Sequence, residues 1–248
     1  MNRPFFGISM MNKELVVEMA PTGTLRVALN MINFLLISGK DSQGVPVGVA
    51  PDLARTIADR MGVPLQLIQY GSPGELADDA DKNIWDIGLI GAEPVRAQKI
   101  DFTTAYVEIE ATYLVPAGSN LKHASDVDRP GNRIAVSARS AYDLWLTRNI
   151  KHAQLLHAEG FEATFELFVS QKLEAMAALK PGLLGDAARL PGSRILDGNF
   201  TTVQQSIGVP KGRLAAAAYL QTFVNEIKKE MVAQLIAKHN VKGLSVAP

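Results

Sequence analysis

Arg96 stands in "GLIGAEPVRAQKIDFTTAY" (residues 88–106), just past an apolar, glycine-containing run that should end a strand. A guanidinium in that position presents a planar fork of donors that matches a carboxylate. The alternative is an internal ion-pair partner of Glu93 or Asp101. A second candidate group is "RSAYD", residues 139–143. Ser140 and Asp143 fit a capping box, so the amides of Ser140 and Ala141 would open a helix toward an anion. Phe34, in the first strand-to-helix loop, could stack on a ligand or fill the core. Gly91, Glu93 and Tyr142 complete the candidate ligand contacts, and Trp145, three residues after Tyr142, reads as packing. Glu108 and Glu110 alternate with apolar residues and share one strand face, which reads as a solvated edge or as a pair of cleft acids.

Other chemistries are not signalled. The chain has no cysteine, so thiolate catalysis, disulfides and cysteine-bound metals are excluded. The histidines are scattered, and His152 with His157 lacks the spacing of a helical metal pair. No nucleophile triad and no phosphate-binding glycine loop occurs, and neither a cofactor nor a metal is expected. Lys plus Arg equals Asp plus Glu at 25 each, which argues against nucleic acid as a partner. No apolar run reaches the roughly 18 residues of a membrane span. Residues 4–11 are a short apolar stretch without a small-residue cleavage site, so the chain as written reads as cytoplasmic, and as periplasmic if a leader was removed or replaced.

At 248 residues and 47% hydrophobic composition, two lobes of ordinary size can each bury a core. Residues 12–20 read as a short amphipathic helix capped by Asn12. "GTLRVALN" alternates as a strand. Leu53, Ile57 and Met61 mark one helical face, with Pro51 at the start and Gly62 as the stop. "PLQLIQY" is a second strand, Gly71 or Ser72 caps a second helix, and "IWDIGLIG" is a third strand buried on both faces. Strand, helix, strand, helix, strand spells a parallel α/β unit. The grammar repeats in "NRIAVSARSAYDLWLTRNI" and in "TFELFVSQKLEAMAAL", read as a strand followed by a helix, and two helices close the chain.

This order of segments resembles periplasmic solute-binding family 3, the polar amino-acid binding proteins of ABC transporters. "GVPVGVAPDLARTIADRMGVPLQLI", "WDIGLIGAEPVRAQKIDFTTAY" and "DVDRPGNRIAVSARSAYD" carry the likeness. The resemblance implies a two-lobed type II periplasmic-binding fold, each lobe a mainly parallel sheet flanked by helices. Residues 22–113 and 196–248 would form lobe 1, residues 114–195 an inserted lobe 2, and residues 1–21 an extension. It implies closure on a small carboxylate ligand gripped by Arg96, and a membrane permease as partner. Three departures stand out. Glu93 replaces a threonine, Arg139-Ser140 replaces a glycine-threonine, and Glu174 and Leu179 stand where an ammonium-pairing aspartate is expected, with Asp186 a turn later. An organic acid therefore stands beside an amino acid as ligand. A dehydratase-like enzyme using Glu93, Glu108 or Glu110 as acid-base group, and a cytoplasmic ligand sensor, are the alternatives.

Overall fold

The computed structural model describes residues 13–248. The Asn12 cap and the apolar stretch 4–11 lie outside the described residues. Helix α1 (Lys13–Met19) leads into strand β1 (Leu25–Asn30), a short hairpin of β2 (Gly39–Lys40) and β3 (Pro46–Val47), and helix α2 (Val49–Met61). Gly62 ends α2 in the left-handed conformation at φ 66°, as its position after the last apolar residue predicts. Strand β4 (Leu65–Tyr70), helix α3 (Pro73–Asp78) and strand β5 (Ile87–Gly91) follow. Ser72 caps α3, its side chain accepting from the Glu75 amide. Next come β6 (Ile100–Phe102) and the long β7 (Val107–Val115), then β8 (Arg133–Ser137), α4 (Ala141–Asn149), β9 (Gln154–Ala158), α5 (Phe161–Ser170), β10 (Ala175–Leu179) and α6 (Lys180–Arg189). The chain closes with β11 (Arg194–Ile195), β12 (Thr201–Pro210), α7 (Leu214–Ile227), α8 (Met231–Lys238) and β13 (Ser245–Val246).

The strands lie in the order β4-β1-β5-β12-β7-β10-β8-β9. At one end β4 and β5 flank β1 in parallel; at the other, β10, β8 and β9 run parallel. These are the sheets of two lobes, joined by β7 and β12. Val107–Ala111 of β7 pair antiparallel with Gln205–Thr201 of β12, and Ala111–Leu114 with Leu179–Met176 of β10. The two long strands thus pass from one lobe to the other. The parallel register places Asn30, Gly91, Ser137 and Leu179 at or near the carboxyl ends of their strands, the edge where open α/β sheets receive ligands.

Two readings of the sequence are corrected. "TFELFVSQKLEAMAAL" runs helix first (α5), then strand (β10). Thr164, Phe165 and Phe168 are buried at helical spacing, and their β-favouring side chains disguised that period. Strand β7 is no sheet edge at Glu108 either, because β12 pairs with it on one side and β13 on the other, and β10 takes up that second side from Ala111 onward.

Candidate functional site

Arg96 opens a single 3-10 turn (Arg96–Gln98) five residues past the end of β5, and is buried at 5% exposure. Its Nη1 donates to the Gly91 carbonyl at 2.8 Å and its Nη2 to the Arg139 carbonyl at 2.9 Å. Its Nε is buried with no partner. Burial, with the neighbouring Arg139 charge, pulls the Arg96 pKa down to about 10, so the group stays cationic at neutral pH.

A cavity of about 40 Å³ adjoins this guanidinium, lined by Gly91, Ser140, Ala141 and Tyr142 among the predicted residues. Among the described residues, Asn30 Oδ1, Arg96 Nε, Tyr106 Oη and Tyr142 Oη are the buried side-chain atoms without a hydrogen-bond partner. All but Tyr106 belong to residues lining this cavity. Ser137 and Ser140 stand beside the Tyr142 hydroxyl without completing a bond to it. Buried polar groups are normally paired, so three unpaired ones around one cavity leave hydrogen-bonding capacity unspent there.

Ser140 caps α4, accepting from the Asp143 amide at 3.1 Å. The return bond of the expected capping box runs instead from the Arg139 amide to Asp143 Oδ2 at 2.7 Å. The left-handed backbone of Arg139 (φ 59°) accompanies this shift, and the Arg139 carbonyl reaches Arg96. The Arg139 side chain lies outside the cavity and spans to Asp78 Oδ1 at 2.7 Å and the Gly74 carbonyl at 3.1 Å on the other lobe.

Glu93 also lies outside the cavity lining. It accepts from Arg148 Nη2 of α4 at 2.6 Å, a second tie between lobes. Burial raises its pKa despite the Arg148 bond and the Arg96 charge. The native state therefore holds the Glu93 proton to higher pH than the unfolded chain does. Its contribution to stability is present below about the ordinary value of 4.5 and is lost as pH climbs through the raised native value. Glu93→Gln should remove that decline, and urea midpoints from pH 4 to 8 should show the variant gaining on the wild type as pH rises. A constant difference would contradict this.

Phe34, 44% exposed, does not reach the Arg96 cavity. It meets Phe161 edge-on, centroids 6.4 Å apart, and lines a neighbouring cavity of about 200 Å³ with Tyr142, Met176, Leu179 and Asp186. Tyr142, Phe161 and Leu179 line both spaces, which therefore adjoin. A larger groove, about 810 Å³, holds Glu108, Glu110 and Lys180. Its acids are matched already, Glu110 by Lys180 at 2.6 Å and Glu108 by Gln204 at 2.9 Å, so it shows no comparable cluster of unpaired groups. Trp145 packs on Phe200, as expected of a packing residue. Glu174 turns to Arg133, at 2.9 Å, and Leu179 leaves its end of the Arg96 cavity apolar. Among the described residues no cluster suited to a metal ion occurs.

Sequence reading missed Asn30, Asn33 and Gln205, which line the cavity, and Arg148, which holds Glu93. Asn30 carried a usable signal as the polar residue closing an apolar strand; Gln205 sits inside β12 and carried none.

The model for bacterial extracellular solute-binding proteins, family 3, matches residues 32–242. No curated protein sequence matches the chain. Among solved structures, an ancestral amino acid-binding protein, described as a precursor of cyclohexadienyl dehydratase, is similar at 20% identity and TM-score 0.73, covering 92% of this chain and 99% of its own. A mutant of ArgBP from T. maritima is similar at 21% identity and TM-score 0.72, covering 92% and 100%. A putative ABC-transporter binding component from Wolinella succinogenes, complexed with lysine, is similar at 22% identity and TM-score 0.71, covering 88% and 95%. These likenesses establish the two-lobed type II periplasmic-binding fold. With a family match running through both lobes, the chain belongs to the bacterial extracellular solute-binding proteins, family 3, and is a solute-binding protein.

Proposed function

We propose that the protein binds a small carboxylate-bearing solute, an amino acid or related organic acid, between its lobes, with Arg96 as the carboxylate anchor. The orphaned Nε of a buried, charged guanidinium lining the interlobe cavity carries this reading. Ser140 and Ala141 at the start of α4 bring a helix N-terminus to the same space, where its dipole favours an anion. Gly91 lets the strand end approach closely: a Cβ there would stand 3.1 Å from that of Ala141 and 3.2 Å from Val203. Tyr142 supplies a hydroxyl and Phe34 lines the adjoining space. Glu93 acts indirectly, through Arg148. Residues 22–113 with 196–248 form one lobe in this reading and residues 114–195 the other, so a ligand touching both favours closure. Glu93, Glu108 and Glu110 all lie outside the Arg96 cavity, which supports binding over chemical conversion.

The family is one of extracellular proteins, and among the described residues no helix is long and apolar enough to cross a membrane. We place the working site outside the cytoplasmic membrane, with an ABC permease as the receiving partner. A thermal-shift screen of amino acids, hydroxy acids and aromatic carboxylates tests the reading. It should find a stabilising carboxylate whose primary amide gives no shift, and mass spectrometry should recover that carboxylate unchanged. Equal stabilisation by the amide would remove the carboxylate anchor; a converted product would replace binding by catalysis.

A further inference from the structure

The two adjoining cavities sort their polar groups by charge. Arg96 is the charged side chain of the smaller one, and no Asp or Glu lines it. The α-ammonium of an amino acid lies one carbon from its carboxylate, so it would have to share this space. There it would find neutral acceptors, Asn30, Asn33, Gln205 and Ser140, and no anion. Glu93, whose negative field reaches Arg96 more strongly than the positive one of Arg139, lies outside the lining and is itself held by Arg148. A buried cation without a counter-charge is strongly disfavoured.

A hydroxyl suits the same place. The Asn30 amide oxygen is buried without a partner, and a hydroxyl can serve that amide in either orientation because it both donates and accepts. At about 30 Å³ per water, 40 Å³ is room for only about one to two heavy atoms beside Arg96, so a carboxylate and its 2-hydroxyl would take it together with the edge of the adjoining space. The adjoining 200 Å³, walled by Phe34, Tyr142, Phe161, Met176 and Leu179, suits an apolar body of leucine or phenylalanine size. Asp186 is the charged residue of that second space; Arg189 Nη1 stands 3.5 Å from it but is bonded more closely to Glu162, so L-arginine, with its cationic tail, belongs among the competing ligands in the test.

We infer that the solute is an amine-free carboxylate of the 2-hydroxy-acid class with an apolar body: Arg96 takes the carboxylate, Asn30 the hydroxyl, and the Phe34–Phe161 cavity the body. The inference rests on the reading of Arg96 as carboxylate anchor.

Calorimetric titration of the wild-type protein with matched pairs tests it. L-3-phenyllactate should bind at least tenfold tighter than L-phenylalanine, and L-2-hydroxy-4-methylpentanoate at least tenfold tighter than L-leucine. 3-Phenylpropionate, lacking the hydroxyl, should bind more weakly than phenyllactate. The class assignment is overturned if an amino twin or L-arginine binds as tightly as the hydroxy acids, if phenylpropionate equals phenyllactate, or if no hydroxy acid binds at millimolar concentration. Repeating the tightest titration with Arg96→Ala separates the two claims. An amino acid that needs Arg96 overturns the class alone, whereas any carboxylate that binds equally without Arg96 overturns the anchor beneath it.

Discussion

Asp86→Ala should lower the unfolding free energy by about 3–5 kcal/mol, the cost of removing one partner from a buried ionic cluster. The Asp86 side chain is fully buried at the entry to β5. Its Oδ2 accepts from the Arg26 amide at 2.9 Å and Arg26 Nε at 3.0 Å; its Oδ1 accepts from Arg26 Nη2 at 2.8 Å and Arg213 Nη1 at 3.2 Å. Arg213 also donates to the Glu18 carbonyl in α1, so one carboxylate ties together β1, β5, α1 and the start of α7. Alanine would leave two largely buried guanidinium groups without their anion. Asp86→Asn, which keeps an acceptor and the shape, should lose clearly less. Urea denaturation measures both; a loss below about 1 kcal/mol for alanine would show the cluster to be an exposed-type pair of little worth.

Arg96→Ala should weaken binding of the screened carboxylate by about a hundredfold or more, roughly 3 kcal/mol for charge-assisted bonds in a buried site. The substitution also leaves the Gly91 and Arg139 carbonyls without their donor, so part of the loss comes through the lobe contact. Arg96→Lys keeps the charge and gives up the fork, and should fall between. Calorimetric titration of the three proteins reads this directly. A lysine variant as poor as alanine, with its fold intact by circular dichroism, would assign the loss to geometry; wild-type affinity in the alanine variant would leave Arg96 a purely internal bolt.

Much of the frame was legible because it rests on local patterns. Alternation in "GTLRVALN" and the apolar run of "IWDIGLIG" gave β1 and β5, and Gly62 gave the end of α2. The position of Arg96 just past β5 followed from the same pattern. What escaped is set by partners distant in sequence. Glu93 and Arg139 stood out as oddities beside a carboxylate-binding arginine, yet their answers, Arg148 and Asp78, lie 55 and 61 residues away. Both side chains bridge the lobes and leave the cavity to others. Helix α5 reads as a strand because Thr164, Phe165 and Phe168 favour strands locally while tertiary burial selects the helical period. For Glu108 and Glu110 the sequence leaves a solvated edge and a pair of cleft acids as alternatives, because alternation reveals a strand's faces and not its neighbours. Gln205 was invisible since nothing in "TTVQQSIGVP" says which of its polar residues meets the cavity.

The most direct test of the central claim is a crystal structure with the tightest carboxylate bound. The account predicts a carboxylate oxygen within about 2.7–2.9 Å of Arg96 Nε, the range of a charge-assisted bond, in the space shared with Asn30 and Tyr142. A ligand carboxylate seated elsewhere, with Arg96 Nε still unpaired between the Gly91 and Arg139 carbonyls, would contradict it.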